Sequence, residues 1–103
     1  MALMVIRLAA DFTKNKASYI IGSQLIRSAT SIGASLAEAF VARARPEFRG
    51  INNIVPRERE ETKSWLGQAR EAVLVDETKP APVLKEASEI GKILAAIVIQ
   101  CEN

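Results

Sequence analysis

The spacing of the apolar residues constrains this chain more than any other feature. Ile21, Leu25, Ala29, Ile32, Leu36 and Phe40 follow one another at intervals of three or four, and no stretch shows sustained period-two alternation. Residues so spaced share one face of an α-helix, whereas a half-buried strand would repeat at every second position. The stripe predicts a helix from Tyr19 to Ala44, about 40 Å long at a rise of 1.5 Å per residue, with Ser18 as its N-cap.

The pattern recurs on either side. Met4, Val5, Leu8 and Phe12 lie on one face of a short first helix, which Asn15 and Lys16 end. Pro46 restarts the periodicity, because the residue before a proline avoids the helical region while proline itself suits a first turn. The third helix then carries Phe48, Ile51, Val55, Thr62, Trp65, Leu66, Ala69 and Val73. The segment DETKPAP, residues 76–82, is the one clear loop cluster, and Thr78 or Lys79 ends it as a fourth helix begins. That helix uses Val83, Ala87, Ile90, Leu94, Ile97 and Cys101. Four helices with short connections predict an all-α, antiparallel (up-down) four-helix bundle, a single domain over 1–103 with long second and third helices. Pro56 removes the helical bond to the Asn52 carbonyl, which predicts a kink in the third helix between Asn52 and Pro56.

Composition narrows the functions open to such a bundle. The 103 residues include no histidine and one cysteine. The commonest general base and zinc ligand is therefore missing, and no internal disulfide can form. The sequence offers no nucleophile–base pair, metal-ligand cluster or glycine-rich phosphate loop, so no catalytic residue, metal or cofactor is expected. Arg7 interrupts the apolar N-terminal stretch, and the apolar run Ile93 to Ile99 falls far short of the ~20 residues of a membrane span. The expectation is a cytoplasmic, non-enzymatic protein.

Three features go beyond what a plain bundle needs. Glu58 falls among Ile51, Val55, Thr62 and Trp65 on the apolar face of the third helix. A lone buried carboxylate is costly, so it must be paired, neutral or at an interface. The second helix has a polar row of Arg27, Ser31 and Glu38, which suggests an Arg27–Glu58 pair within or between subunits. The alternative places Glu58 at the bundle edge, in reach of water. Small residues form the second feature: Ala29, Gly33 and Ala37, with Gly22 on the same side, suit close approach of a neighbouring helix. Positive charge is the third. Arg43, Arg45 and Arg49 cluster at the second junction, and Arg59, Lys63 and Arg70 align on the third helix away from its apolar face. Such a stripe can follow phosphates, although Glu47, Glu60 and Glu71 dilute it and the net charge is only +2.

Four segments carry a family resemblance: QLIRSATSIGASLAEA (24–39), PEF (46–48), REREETKSWL (57–66) and LKEASEIGKILAAIV (84–98). In order and spacing they resemble a bacterial four-helix-bundle family. It includes proteins encoded in intervening sequences of 23S ribosomal RNA genes and accessory variability determinants of diversity-generating retroelements. The resemblance implies a homo-oligomeric ring, typically a pentamer, without established enzymatic activity. Retroelement members bind a reverse transcriptase and RNA through a basic surface. The family motif includes Arg27, Glu38, Glu58 and Glu61, which implies a structural or interface role for these positions. This chain departs from the pattern at Ala44, in place of a serine cap, at Pro56, in place of an aliphatic residue, and in its short first helix. The functional expectation is an assembling bundle that offers a basic surface to RNA or a nucleoprotein partner such as a reverse transcriptase. The alternative is a self-assembling or protein-binding module with no nucleic-acid ligand.

Overall fold

A computed structural model describes residues 1–42 and 48–102 of the chain, with side chains over 1–38 and 54–92. It contains four helices: α1 (Ala2–Ala10), α2 (Lys16–Ala42), α3 (Phe48–Glu71) and α4 (Ala81–Glu102). Among the described residues there is no strand. The chain is elongated, 47 × 21 × 18 Å, and α2 packs along α3 with α1 laid against α2. The all-α bundle expected from the periodicity is therefore the observed architecture.

The main core draws on every helix: Val5 and Leu8 from α1, Leu25 and Ala29 from α2, Leu66 and Ala69 from α3, and Val83 from α4. Phe12, Leu74 and Val75 close it from the connections. A smaller cluster of Ile32 and Val55, with Met1, Leu36 and Ile90 against it, lies farther along the bundle.

The helix ends differ from the sequence expectations in three places. α2 starts at Lys16 rather than Tyr19, and its cap is Asn15, whose Oδ1 accepts the Ser18 N–H at 2.9 Å. Asparagine caps as well as serine, and Ser18 itself is buried with its hydroxyl 2.7 Å from Thr13 Oγ1. α3 stops at Glu71, so Val73 lies beyond it instead of on its apolar face. The Leu74 N–H bonds the Ala69 carbonyl at 2.9 Å and the Val73 N–H bonds the Arg70 carbonyl at 3.1 Å. This is a Schellman closure, and it holds Val73 in the left-handed region at φ 58 with its side chain 76 % exposed.

α4, in turn, begins at Ala81 and not at Thr78 or Lys79. Asp76 keeps the intervening residues in a turn by accepting the Thr78 N–H at 2.9 Å and the Thr78 hydroxyl at 2.6 Å. Those bonds hold the exposed Asp76 carboxyl below its ordinary pKa. α3 runs unbroken through Pro56, whose ring faces solvent.

Candidate functional site

The polar residues singled out in the sequence gather along the contact of α2 with α3. Arg27, 46 % exposed at its side chain, reaches across from α2. Its Nη1 donates to Glu58 Oε2 at 3.2 Å, its Nη2 to Glu61, and its Nε to Gln24 Oε1 at 2.9 Å. The Arg27–Glu58 pair is thus made within one chain. Glu58 is 8 % exposed, so the guanidinium supplies the compensation that a buried carboxylate requires. Glu61, more open, shares the same cation.

One turn deeper, the seam continues with neutral groups. Ser28 Oγ and Thr62 Oγ1 are fully buried, 2.8 Å apart. Thr62 donates to the Glu58 carbonyl at 2.9 Å, which uses its only hydroxyl proton. Ser28 is then the donor between the two hydroxyls, with the Leu25 carbonyl at 3.2 Å as its other acceptor. Every hydroxyl oxygen of the pair is satisfied, which makes a buried polar contact compatible with a core. Sequence reading placed Thr62 on the apolar face and passed over Ser28. Only the register of α2 against α3 brings them together, and a lone serine and threonine carry no signal for it.

The remaining candidates of the polar row are less enclosed. Ser31 is half-buried and Glu38 is exposed. The small-residue row is divided in the same way. Ala29 is buried and Gly22 backs onto α1, where an added Cβ would lie 3.7 Å from Ala9 Cβ. Gly33 and Ala37 are exposed, and a Cβ on Gly33 would meet nothing within 4 Å. The close helix approach expected along the whole row is therefore made only where α1 covers it.

The basic stripe of α3 does not survive as one surface. Arg59 is half-buried, with its guanidinium lying so tightly across Gly91 of α4 that a Cβ there would stand 2.3 Å from Nη1. Its Nε is buried and has no acceptor in reach among the described residues. The sequence placed Arg59 away from the apolar face. The approach of α4 on that flank, with glycine leaving room for a flat guanidinium, is what encloses it. Lys63 is exposed and donates to Glu60 at 3.3 Å, and Arg70 is exposed near the end of α3. Arg43 and Arg45 lie outside the described residues. Arg49 stands in the first turn of α3, with its side chain outside them.

Nothing in this arrangement has the layout of a reaction centre. Trp65 packs on the main core with its indole Nε1 buried and unpartnered among the described residues. No cluster of three or more histidine, cysteine, aspartate or glutamate side chains that could hold a metal occurs among the described residues. No helix there is long and apolar enough to cross a membrane.

The constellation of Arg27, Glu58 and Glu61 joined across two long helices can be compared with known proteins. The 23S rRNA-intervening sequence protein family matches residues 1–96. The chain belongs to this family. A crystal structure of a protein of unknown function from the S23 ribosomal protein family, from Bacteroides thetaiotaomicron, has the same fold. It is 28 % identical, with a TM-score of 0.80 over 94 % of this chain and 90 % of that one. No curated protein matches the chain. Within the family, the motif positions Arg27, Glu58 and Glu61 are here a hydrogen-bonded seam that joins α2 to α3.

Proposed function

We propose that this family member acts by assembly rather than catalysis: a cytoplasmic homo-oligomer, a ring of five by resemblance, that presents basic helical surface to RNA or to a nucleoprotein such as a reverse transcriptase. The observation that carries the assembly is apolar side chain left in solvent. Leu3, Ile6 and Tyr19, on α1 and the start of α2, are 58 %, 48 % and 64 % exposed. Large apolar residues gathered on one side of so small a chain favour a protein contact. The nucleic-acid half of the reading rests on Arg43, Arg45 and Arg49 at the α2–α3 junction, with Lys63 and Arg70 farther along α3. Ser31 and Glu38, exposed in whole or part on α2, are interface positions in this reading.

Light scattering after size exclusion, with and without RNA at low and moderate salt, tests both halves. The reading expects a defined oligomer that retains RNA at low salt and releases it as salt rises, because phosphate contacts exchange for counterions. Replacing Arg43, Arg45 and Arg49 with alanine should abolish retention and leave the mass unchanged. An oligomer indifferent to RNA would support the protein-only alternative, and a monomer would defeat the assembly.

A further inference from the structure

Two regions at opposite ends of the chain complement each other. The first is a groove of about 480 Å³ between α1 and α2, lined by Ile6, Ala10, Tyr19, Gly22 and Ile26, with Lys14 its one charged side chain. Arg7 and Lys16 are exposed nearby on the same two helices. The groove exists because Gly22 lets α1 lie close to α2 while Ile6 and Tyr19 stand outward on either bank.

The second region is the C-terminal half of α4. Val83 and Ala87 are buried and define the side of the helix turned into the chain's own core. Across the helix from them, at about 100° per residue, runs the outward row. In the first half of α4 that row is Lys85, Ser88, Glu89 and Lys92, all exposed, as an outward row should be. From there the row continues at positions 95, 96 and 99 as Ala95, Ala96 and Ile99, inside the uninterrupted apolar run 93–99. A helix apolar on every side is stable where every side is covered. α1 cannot provide the cover: its nine residues span about 14 Å, against about 40 Å for the 27 residues of α2.

We infer that the C-terminal half of α4 from one copy lies in the α1–α2 groove of the next, with positions 95, 96 and 99 against Ile6, Tyr19 and Ile26. This rests on the self-assembly reading above and names its surfaces. Both surfaces are nearly free of charge. Where charge occurs it matches: the helix end, with its partial negative charge and Glu102, meets the Lys14 side of the groove. Groove and ridge are different patches of one chain. The contact is therefore heterologous, and it propagates head to tail until it closes into a ring or runs on as a filament.

Two variants at outward positions test it: Ile6→Glu with Tyr19→Glu, which charges the groove, and Ile99→Glu, which charges the ridge. Circular dichroism of each should keep the wild-type helix content; Tyr19→Ser and Ile99→Ser serve as milder replacements where it does not. Each variant alone should weaken assembly about tenfold or more in dissociation constant, read by light scattering across a dilution series. Mixed together, they should form a 1:1 dimer, because one intact groove and one intact ridge remain. Full assembly by the groove variant would overturn this contact and leave self-assembly standing. Two variants that dissociate but do not pair on mixing would show an isologous contact and overturn the head-to-tail arrangement. A monomeric wild-type chain would assign the groove to a different protein and defeat both readings.

Discussion

The two flanks of α3 are held to their neighbours in different ways. Toward α2, Glu58, Glu61 and Thr62 meet Arg27 and Ser28 in hydrogen bonds whose donors and acceptors are matched. Toward α4, the polar group at the contact is Arg59, whose Nε has no partner among the described residues and whose guanidinium is accommodated by the absence of a side chain at Gly91. One contact is specified by direction, since a one-position slip of α2 along α3 would leave Ser28, Thr62 and Glu58 buried and unpaired. The other is specified by space alone. Hydrogen-bonded contacts penalise a wrong register steeply, while a steric fit tolerates small displacements. α2–α3 is therefore the rigid pair of the molecule, and α4 is the element whose position other contacts can influence.

The sharpest way to break this contrast is Arg27→Ala. It leaves Glu58 nearly buried without its cation and should cost about 2 kcal/mol, reduced from a fully buried pair because Arg27 is half exposed. Urea denaturation measures it, and adding Glu58→Gln should recover part of the loss. No recovery would mean that Arg27 acts through packing of its stem. Next, Ser28→Ala should cost about 1 kcal/mol, and a double-mutant cycle with Thr62→Val should show coupling of similar size. Additive losses would contradict the hydroxyl pair.

Val73→Gly sharpens the other side of the comparison. A β-branched residue at φ 58 bears about 1–2 kcal/mol of strain that glycine relieves, so this variant should be more stable by about 1 kcal/mol. Unchanged stability would mean that Val73 is not held left-handed in solution. Smallest of all is Gly91→Ala, expected to lie within about 0.5 kcal/mol of wild type. The helix gains propensity, while the flexible end of Arg59 must move aside. A loss of several kcal/mol would show that Arg59 locks α4 as firmly as the seam locks α2, and the contrast between the flanks would disappear.

Much of the fold was legible before any coordinates. The stripe from Ile21 to Phe40 and the buried faces of Val55, Leu66, Ala69, Val83 and Ala87 follow from periodicity, because helical register sends those positions to one side whatever lies opposite. The helix ends were less so. Asn15 and Ser18 are both good caps, and only the bond from the Ser18 amide chooses between them. Val73 continues the apolar period of α3, and a chain reversal that the period does not encode turns it outward. The candidate site divides along the same line. Glu58 was conspicuous as a charge on an apolar face, and Arg27 was the cation on the facing helix. Ser28 with Thr62, and Arg59 with Gly91, could not be paired, because each pair depends on how far one helix is shifted along another.

The sequence by itself determined the number and type of elements, their inward faces and the need to compensate Glu58, since these follow from local geometry and the cost of burying charge. Tertiary structure alone decided that the compensation comes from within the chain, that two hydroxyls share a proton in the core, and that Arg59 leaves the surface to lie on a glycine. Each of these depends on the register and distance between helices, which the packing of side chains from distant parts of the chain sets jointly.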